Sequence, residues 1–564
     1  MERIDDIMES PEDLPTQDKN PYYSYRQDQE IKYNFSLTED EKVIIQNFKK
    51  CLLIRSEYML DSSQRDVDNP KNKQDWTIYP APPPPSYKGK ERIEIHVPKE
   101  FNMNDVKFPP PSEPFISYKM IDGVFHIFNK GIKTTTSIKS LGDYYRDLEY
   151  ITDVISDGPT KTFAFRRLRY LEAKYQMYSL VNENIEIQET KSNSHRDFYN
   201  VRKIDTHIHL SSSMNQKHLL RFIKSKIKNK PDEIVIYRDG QYLTLAEVFK
   251  SLGLQAYDLS IDTLDMHAHK DSFHRFDRFN LKYNPVGESR LREIFLKTDN
   301  YIKGRYMAEL VKEVVTDLEQ SKYQMAEYRI SIYGRHKDEW TGIAKWVVDN
   351  KIFSHNIRWL IQIPRLYNLY RDRNIVGNFA DFIDNLFEPL FAVSLNPESN
   401  KELHVFLQRV VGFDSVDDES KLEKRTFRKY PLPQEWTYDN PPYSYYLYYM
   451  YANIATLNKL RKLNNLNTFV LRPHSGEAGD TEHLSSAFLT SYAISHGILL
   501  RKVPALQYLY YLHQIGIAMS PLSNNALFLS YERNPFPIYF NRGLNISLST
   551  DDPLQFHFTK YLFI

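Results

Sequence analysis

After residue 200 short β-branched or apolar runs alternate with helical patterns, and this alternation limits the fold more than any other feature of the chain. Eight such runs stand out: Lys203 to Ile208, Glu327 to Tyr333, Asn356 to Ile363, Val410 to Asp414, Thr468 to His474, Tyr492 to His496, Gly516 to Ser520 and Leu544 to Thr550. Strands that alternate with helices build a parallel sheet covered by helices. Eight short units with no glycine-rich nucleotide fingerprint between them predict a TIM-type (β/α)8 barrel over residues 196–564, rather than an open doubly wound sheet.

Upstream the texture differs. Residues 1–35 carry Pro11, Pro15 and Pro21 among acidic and polar residues, a composition that buries too little apolar surface to order itself, so a flexible tail is expected. Residues 36–195 read as a mainly helical extension with proline-rich connectors. Val43, Ile44, Phe48 and Leu52 recur at helical spacing behind Thr38, a good N-cap. Pro80, Pro82 to Pro85 and Pro109 to Pro111 predict extended connectors, and Asp122-Gly123 between apolar runs predicts a tight hairpin. After the break at Asp157-Gly158-Pro159, the stripe Ala164, Leu168, Leu171, Tyr175 and Tyr178 predicts a docking helix.

Composition narrows the chemistry. The 74 Lys and Arg residues balance 73 Asp and Glu, so no global field points to nucleic acid or a membrane surface, and any anionic ligand must be met by local cations. A single cysteine, Cys51, rules out a disulfide framework and cysteine-rich zinc modules and fits a reducing compartment. Without an apolar leader or a spanning segment, a cytoplasmic location is expected. Any metal must be held by histidine and carboxylate.

Barrel enzymes assemble their sites from the C-terminal ends of several strands. Here the first run ends in His207 and His209, which project to the same side of a strand. The fifth ends in His474-Ser475-Gly476-Glu477, the sixth in Ser495-His496-Gly497, and the eighth in Thr550-Asp551-Asp552-Pro553. Three histidines and an aspartate from three strands suit one Zn²⁺ with nitrogen and oxygen ligands and a position left for water.

These motifs, with the string Phe273 to Pro285, resemble the AMP deaminase family within the adenosine/AMP deaminase superfamily of zinc barrels. The resemblance implies that His207, His209, His474 and Asp551 bind zinc. It implies that Glu477 protonates N1 of the purine, that His496 is the general base on the attacking water, and that Asp552 orients the base, giving IMP and ammonia in purine nucleotide interconversion. It assigns substrate contact to His209, Arg278, Phe279, Asn280, Leu281, Lys282, Tyr283, Glu477, Asp552, Pro553, Leu554 and Gln555. Lys217 and Arg221, on the first barrel helix, are further candidates for the phosphate. A homotetramer under nucleotide control, typically by ATP, is the implied assembly.

One departure is plain. In the family a long helical segment follows the eighth strand and opens with an acidic stretch absent here, so the barrel is expected to be incomplete, with the outer face of that strand uncovered. The competing expectation is a catalytically compromised relative that serves as a nucleotide-binding or regulatory subunit.

Overall fold

The computed structural model describes residues 37–78, 87–88, 91–92, 101–134, 138–193, 201–268, 279–321, 323–421, 423, 430–527 and 529–559. The expected tail, the connector at Pro80 to Pro85 and the stretch from Phe273 to Arg278 lie outside them.

Eight parallel strands form in the predicted places: β1 (Lys203–His209), β2 (Gln324–Ser331), β3 (Ile357–Pro364), β4 (Val410–Val416), β5 in two pieces (Val470–Leu471 and His474–Ser475), β6 (Ala493–His496), β7 (Gly516–Met519) and β8 (Ile546–Leu548). Each pairs in parallel with its successor, through matches such as Asp205↔Ala326, Trp359↔Tyr328, Gly412↔Val470, His474↔Ser495 and Ile517↔Ile546. Pro473 has no N–H to give and interrupts β5 between its two pieces. The ring closes where Ile208 bridges Asp551: the Asp551 N–H donates to the His207 carbonyl at 2.9 Å, and the His209 N–H donates to the Asp551 carbonyl at 3.0 Å. This closure carries the eighth strand's carboxylates onto the first strand's histidines.

The helix after β1, α4 (Gln216–Asn229), is capped by Asn215 and buries Leu219, Phe222 and Ile223. On the outer surface, Ile204 of β1 and Leu548 of β8 are both more than half exposed.

Among the described residues, three α-helices precede the barrel. The helix α1 (Glu39–Asp61) opens with a capping box between Thr38 and Glu41, and α2 (Leu141–Ser156) is capped by Ser140. Asp157 caps α3 (Gly158–Ser192), which docks through Ala164 and Leu168 and leaves Tyr178 exposed. Strands Ile116–Ile121 and Val124–Asn129 form the hairpin, with Asp122 at φ 52° and Gly123 at φ 78°, the left-handed geometry such a turn requires.

These elements share one continuous hydrophobic core with the barrel. Polar stitches fix the contact. The buried Gln64 accepts from the Leu471 N–H at 2.7 Å and donates to the Thr490 carbonyl at 3.0 Å, so a side chain from the extension completes the ladder at the start of β5. Arg55 donates to the carbonyls of Phe488 and Ser491, and Asn69 bonds both the N–H and the carbonyl of Thr468.

Candidate active site

Inside the C-terminal mouth of the barrel lies a cavity of about 440 Å³, lined by His209, His474, Glu477, His496, Asp551 and Asp552, with Phe279, Tyr283, Arg292, Lys297 and Arg329 around them. His207 sits behind this lining with no exposure. All seven residues that sequence places at the centre converge here.

The donor atoms of His207, His209 and His474 lie within 4.8 Å of one another, as do those of His207, His496 and Asp551, and those of His209, Asp551 and Asp552. Asp551 Oδ1 stands 3.3 Å from Nε2 of both His207 and His209. Strain accompanies the convergence: Asp551 at φ 65° and His496 at φ 69° occupy the left-handed region, which a non-glycine residue enters only when its surroundings enforce it.

The imidazoles are aimed from behind. His209 Nδ1 meets Gln362 Oε1 at 2.6 Å, and Gln362 is held in turn by Ser331. His474 Nδ1 meets Asp414 Oδ1 at 3.0 Å, and Asp414 is ion-paired to the buried Arg329, which also donates to Ser495 Oγ at 2.7 Å. Pinning Nδ1 in this way turns Nε2 toward the common centre, the arrangement metal-ligating histidines adopt. Both ring nitrogens of the fully buried His207 lack a hydrogen-bond partner, and an ion accepting the lone pair of Nε2, the nitrogen that faces Asp551, would satisfy one of them. The donor set therefore fits a divalent metal with nitrogen and oxygen preference.

Protonation is sorted within a few ångströms. Burial pushes the Glu477 carboxyl well above its ordinary range, and the nearby carboxylates of Asp551, Glu419 and Asp552 push it further, so it is neutral and carries a proton. Burial lowers His496 to about 3, so its imidazole is neutral; its Nε2 is 3.6 Å from Glu477 Oε2. Burial, with Asp551, lifts Asp552 to about 6 against the pull of His209 and of hydrogen bonds from Ser212 and Tyr283, the latter at 2.6 Å. A proton donor, a neutral base and a polar anchor thus face one cavity.

The substrate-contact candidates divide. Phe279, Asn280 and Tyr283 line the cavity, while Leu281 is 60% exposed and Lys282 pairs with Asp265. Pro553, Leu554 and Gln555 are buried beneath Asp552 without lining the cavity, and Gln555 supports the neighbouring segment by accepting from the Ala268 N–H and donating to the Lys282 carbonyl. Arg278 lies outside the described residues. Lys217 and Arg221 are exposed on α4 and do not line the cavity, because the helix turns its apolar side to the barrel and these cations outward. Arg292 and Lys297, which sequence reasoning passed over, line it instead; they lie over the rings of Tyr283 and Tyr333 at 5.3 and 5.8 Å. Their only signal in the sequence is their place in the long connection after β1.

Comparison with known proteins identifies the family. The chain is 60% identical over 519 residues to the AMP deaminase of Saccharomyces cerevisiae, covering 91% of this chain and 64% of that protein. It is 59% identical over 517 residues to the AMP deaminase of Schizosaccharomyces pombe, covering 91% and 61%. It thus spans under two thirds of the length of these relatives. A solved adenine deaminase from Arthrobacter aurescens, 13% identical with a TM-score of 0.34 over 63% of this chain and 83% of that one, is too distant to bear on the chemistry. The sequence model of the AMP deaminase family matches residues 22–564, and the chain belongs to that family.

Proposed function

We propose that this chain hydrolyses AMP at C6 of the purine to IMP and ammonia, with zinc held by His207, His209, His474 and Asp551. The observation that carries this reading is the geometry: a buried carboxyl, Glu477, stands 3.6 Å from a buried imidazole, His496, beside a cluster of histidines pinned through Nδ1. When bound, zinc supplies the Lewis acidity that makes water a nucleophile at neutral pH.

The rest belongs to the protein's own groups. Glu477 donates its proton to ring N1, which draws electron density from C6. His496 takes a proton from the water that adds there and hands it to the amino group, which leaves as ammonia; the second water proton, lost as the C6 oxygen becomes a carbonyl, returns to Glu477. Asp552, fixed by Ser212 and Tyr283, bonds the base and sets its angle. Phe279 offers an aromatic face at the cavity wall.

A nucleotide substrate also needs a cationic contact for its phosphate. Arg292 and Lys297 line the same cavity and form no ion pair among the described residues, which suits them to that contact. Ammonia release from AMP and from adenosine tests the reading. The zinc-loaded chain is expected to favour AMP in kcat/KM by more than about tenfold, which corresponds to about 1.4 kcal/mol. Arg292→Ala and Lys297→Ala are expected to raise KM for AMP while leaving adenosine turnover unchanged. Equal turnover of the two substrates by the parent chain would remove the phosphate contact from the proposal. We propose in addition, from the resemblance of the motifs alone, a cytoplasmic homotetramer responsive to ATP; light scattering with and without ATP tests the assembly.

A further inference from the structure

Behind the Gly476-Glu477 turn lies a buried polar cluster that the chemistry above does not use. Glu419, three residues beyond β4, is 2% exposed. Its Oε2 accepts from the Gly476 N–H at 2.8 Å and from His483 Nδ1 at 2.9 Å, and its Oε1 accepts from the Glu477 N–H at 3.4 Å. His483 is on α5 (Glu482–Thr490), 3% exposed, and its Nε2 donates to Glu423 Oε1 at 3.2 Å. The Tyr443 ring stacks on His483 at 4.1 Å, and the Tyr443 hydroxyl donates to the His474 carbonyl at 2.7 Å.

We propose, on the basis of the deaminase reading above, that Glu419 is a positioning residue: anchored by His483, it clamps the Gly476-Glu477 turn and so aims the Glu477 carboxyl into the cavity. Three independent features support the clamp. The turn needs an external acceptor, because Gly476 at φ 72° and Gly479 at φ 74° hold it in a conformation that β5 cannot extend. The Glu419 peptide oxygen fills the space beside Gly479, where a Cβ would come within 1.8 Å of it, so the same residue braces both ends of the turn. A buried carboxylate also needs a charged partner to remain ionised, and His483 supplies it: burial lowers that imidazole, but Glu419 and Glu423 outweigh burial and raise it to about 9. The cluster joins the carbonyl of the candidate ligand His474 to the amide of the candidate acid, fixing the distance between them.

Two readouts keep this claim separable from the deaminase reading. Amide hydrogen exchange at Gly476 and Glu477 needs no turnover and is expected to be faster in Glu419→Ala than in the parent chain. In the zinc-loaded chain, Glu419→Ala is expected to lower kcat for AMP by up to about a hundredfold, the scale of a misplacement of about 1 Å, with KM and metal content unchanged. Glu419→Gln keeps an oxygen acceptor facing Gly476 and is expected to recover most of that rate. His483→Gln, a milder change should the Ala variant fail to fold, is expected to shift exchange and kcat the same way by a smaller factor. Unchanged exchange in Glu419→Ala and His483→Gln would overturn the proposal, as would a Gln variant as slow as Ala, or loss of metal in step with rate. A parent chain inert toward AMP would retire the deaminase reading and leave amide exchange to decide the clamp.

Discussion

Glu477→Gln is expected to keep the fold and the bound metal and to lower kcat for AMP by about two to four orders of magnitude, the range supplied by a positioned general acid. The physical ground is the state of the native side chain. Glu477 is 6% exposed and is kept neutral first by burial and then by the charges of Asp551, Glu419 and Asp552. A glutamine is neutral, isosteric and equally suited to that environment, so the substitution adds no burial cost. It removes only an acidic proton that can move to the substrate. Metal analysis and steady-state kinetics on the same preparation check this. Metal loss in the variant would make Glu477 a ligand, and retained turnover would move the acid elsewhere.

Arg329→Met is expected to destabilise the chain by about 3–5 kcal/mol, measured by denaturant unfolding, because it leaves Asp414 buried without its cation. Arg329 is 2% exposed and Asp414 fully buried. Burial alone would raise the Asp414 carboxyl, yet Arg329 and then His474 hold it well below the ordinary carboxylate range. Methionine replaces the volume but not the charge. With Asp414 driven toward protonation, the grip on His474 Nδ1 weakens, and metal affinity is expected to fall about 10–100-fold, as for other supports of ligating histidines. Stability unchanged in the variant would mean that water or another group compensates Asp414.

The barrel was legible in the sequence because its signal is local. Each strand is a short apolar run between turns, and each ends in residues too polar for a core. The site's centre was legible for the same reason: the pair His207 and His209 needs only strand alternation to point one way. What pins those histidines was not. Arg329, Asp414 and Gln362 lie mid-strand or at strand ends in different units, and only closure of the ring brings them to the imidazoles. Glu419 and His483 were hidden similarly, 64 residues apart with nothing but the fold to join them.

The cations were harder to place, for a different reason. Lys217 and Arg221 follow the first strand closely, and sequence cannot say which side of α4 faces the mouth. Burial of Leu219, Phe222 and Ile223 fixes that side and sends both cations to solvent. Arg292 and Lys297 reach the cavity from the connection between β1 and β2, where chain separation gives no clue to proximity.

The central claim is that His207, His209, His474 and Asp551 hold a metal on which turnover of AMP depends. It is tested most directly by following ammonia release from AMP while the chelator-treated chain is titrated with zinc. The expected result is a rate near zero without metal that rises linearly and breaks at one zinc per chain. Ammonia release that is undiminished after the metal is stripped would contradict the claim, as would a folded, zinc-loaded chain that releases none.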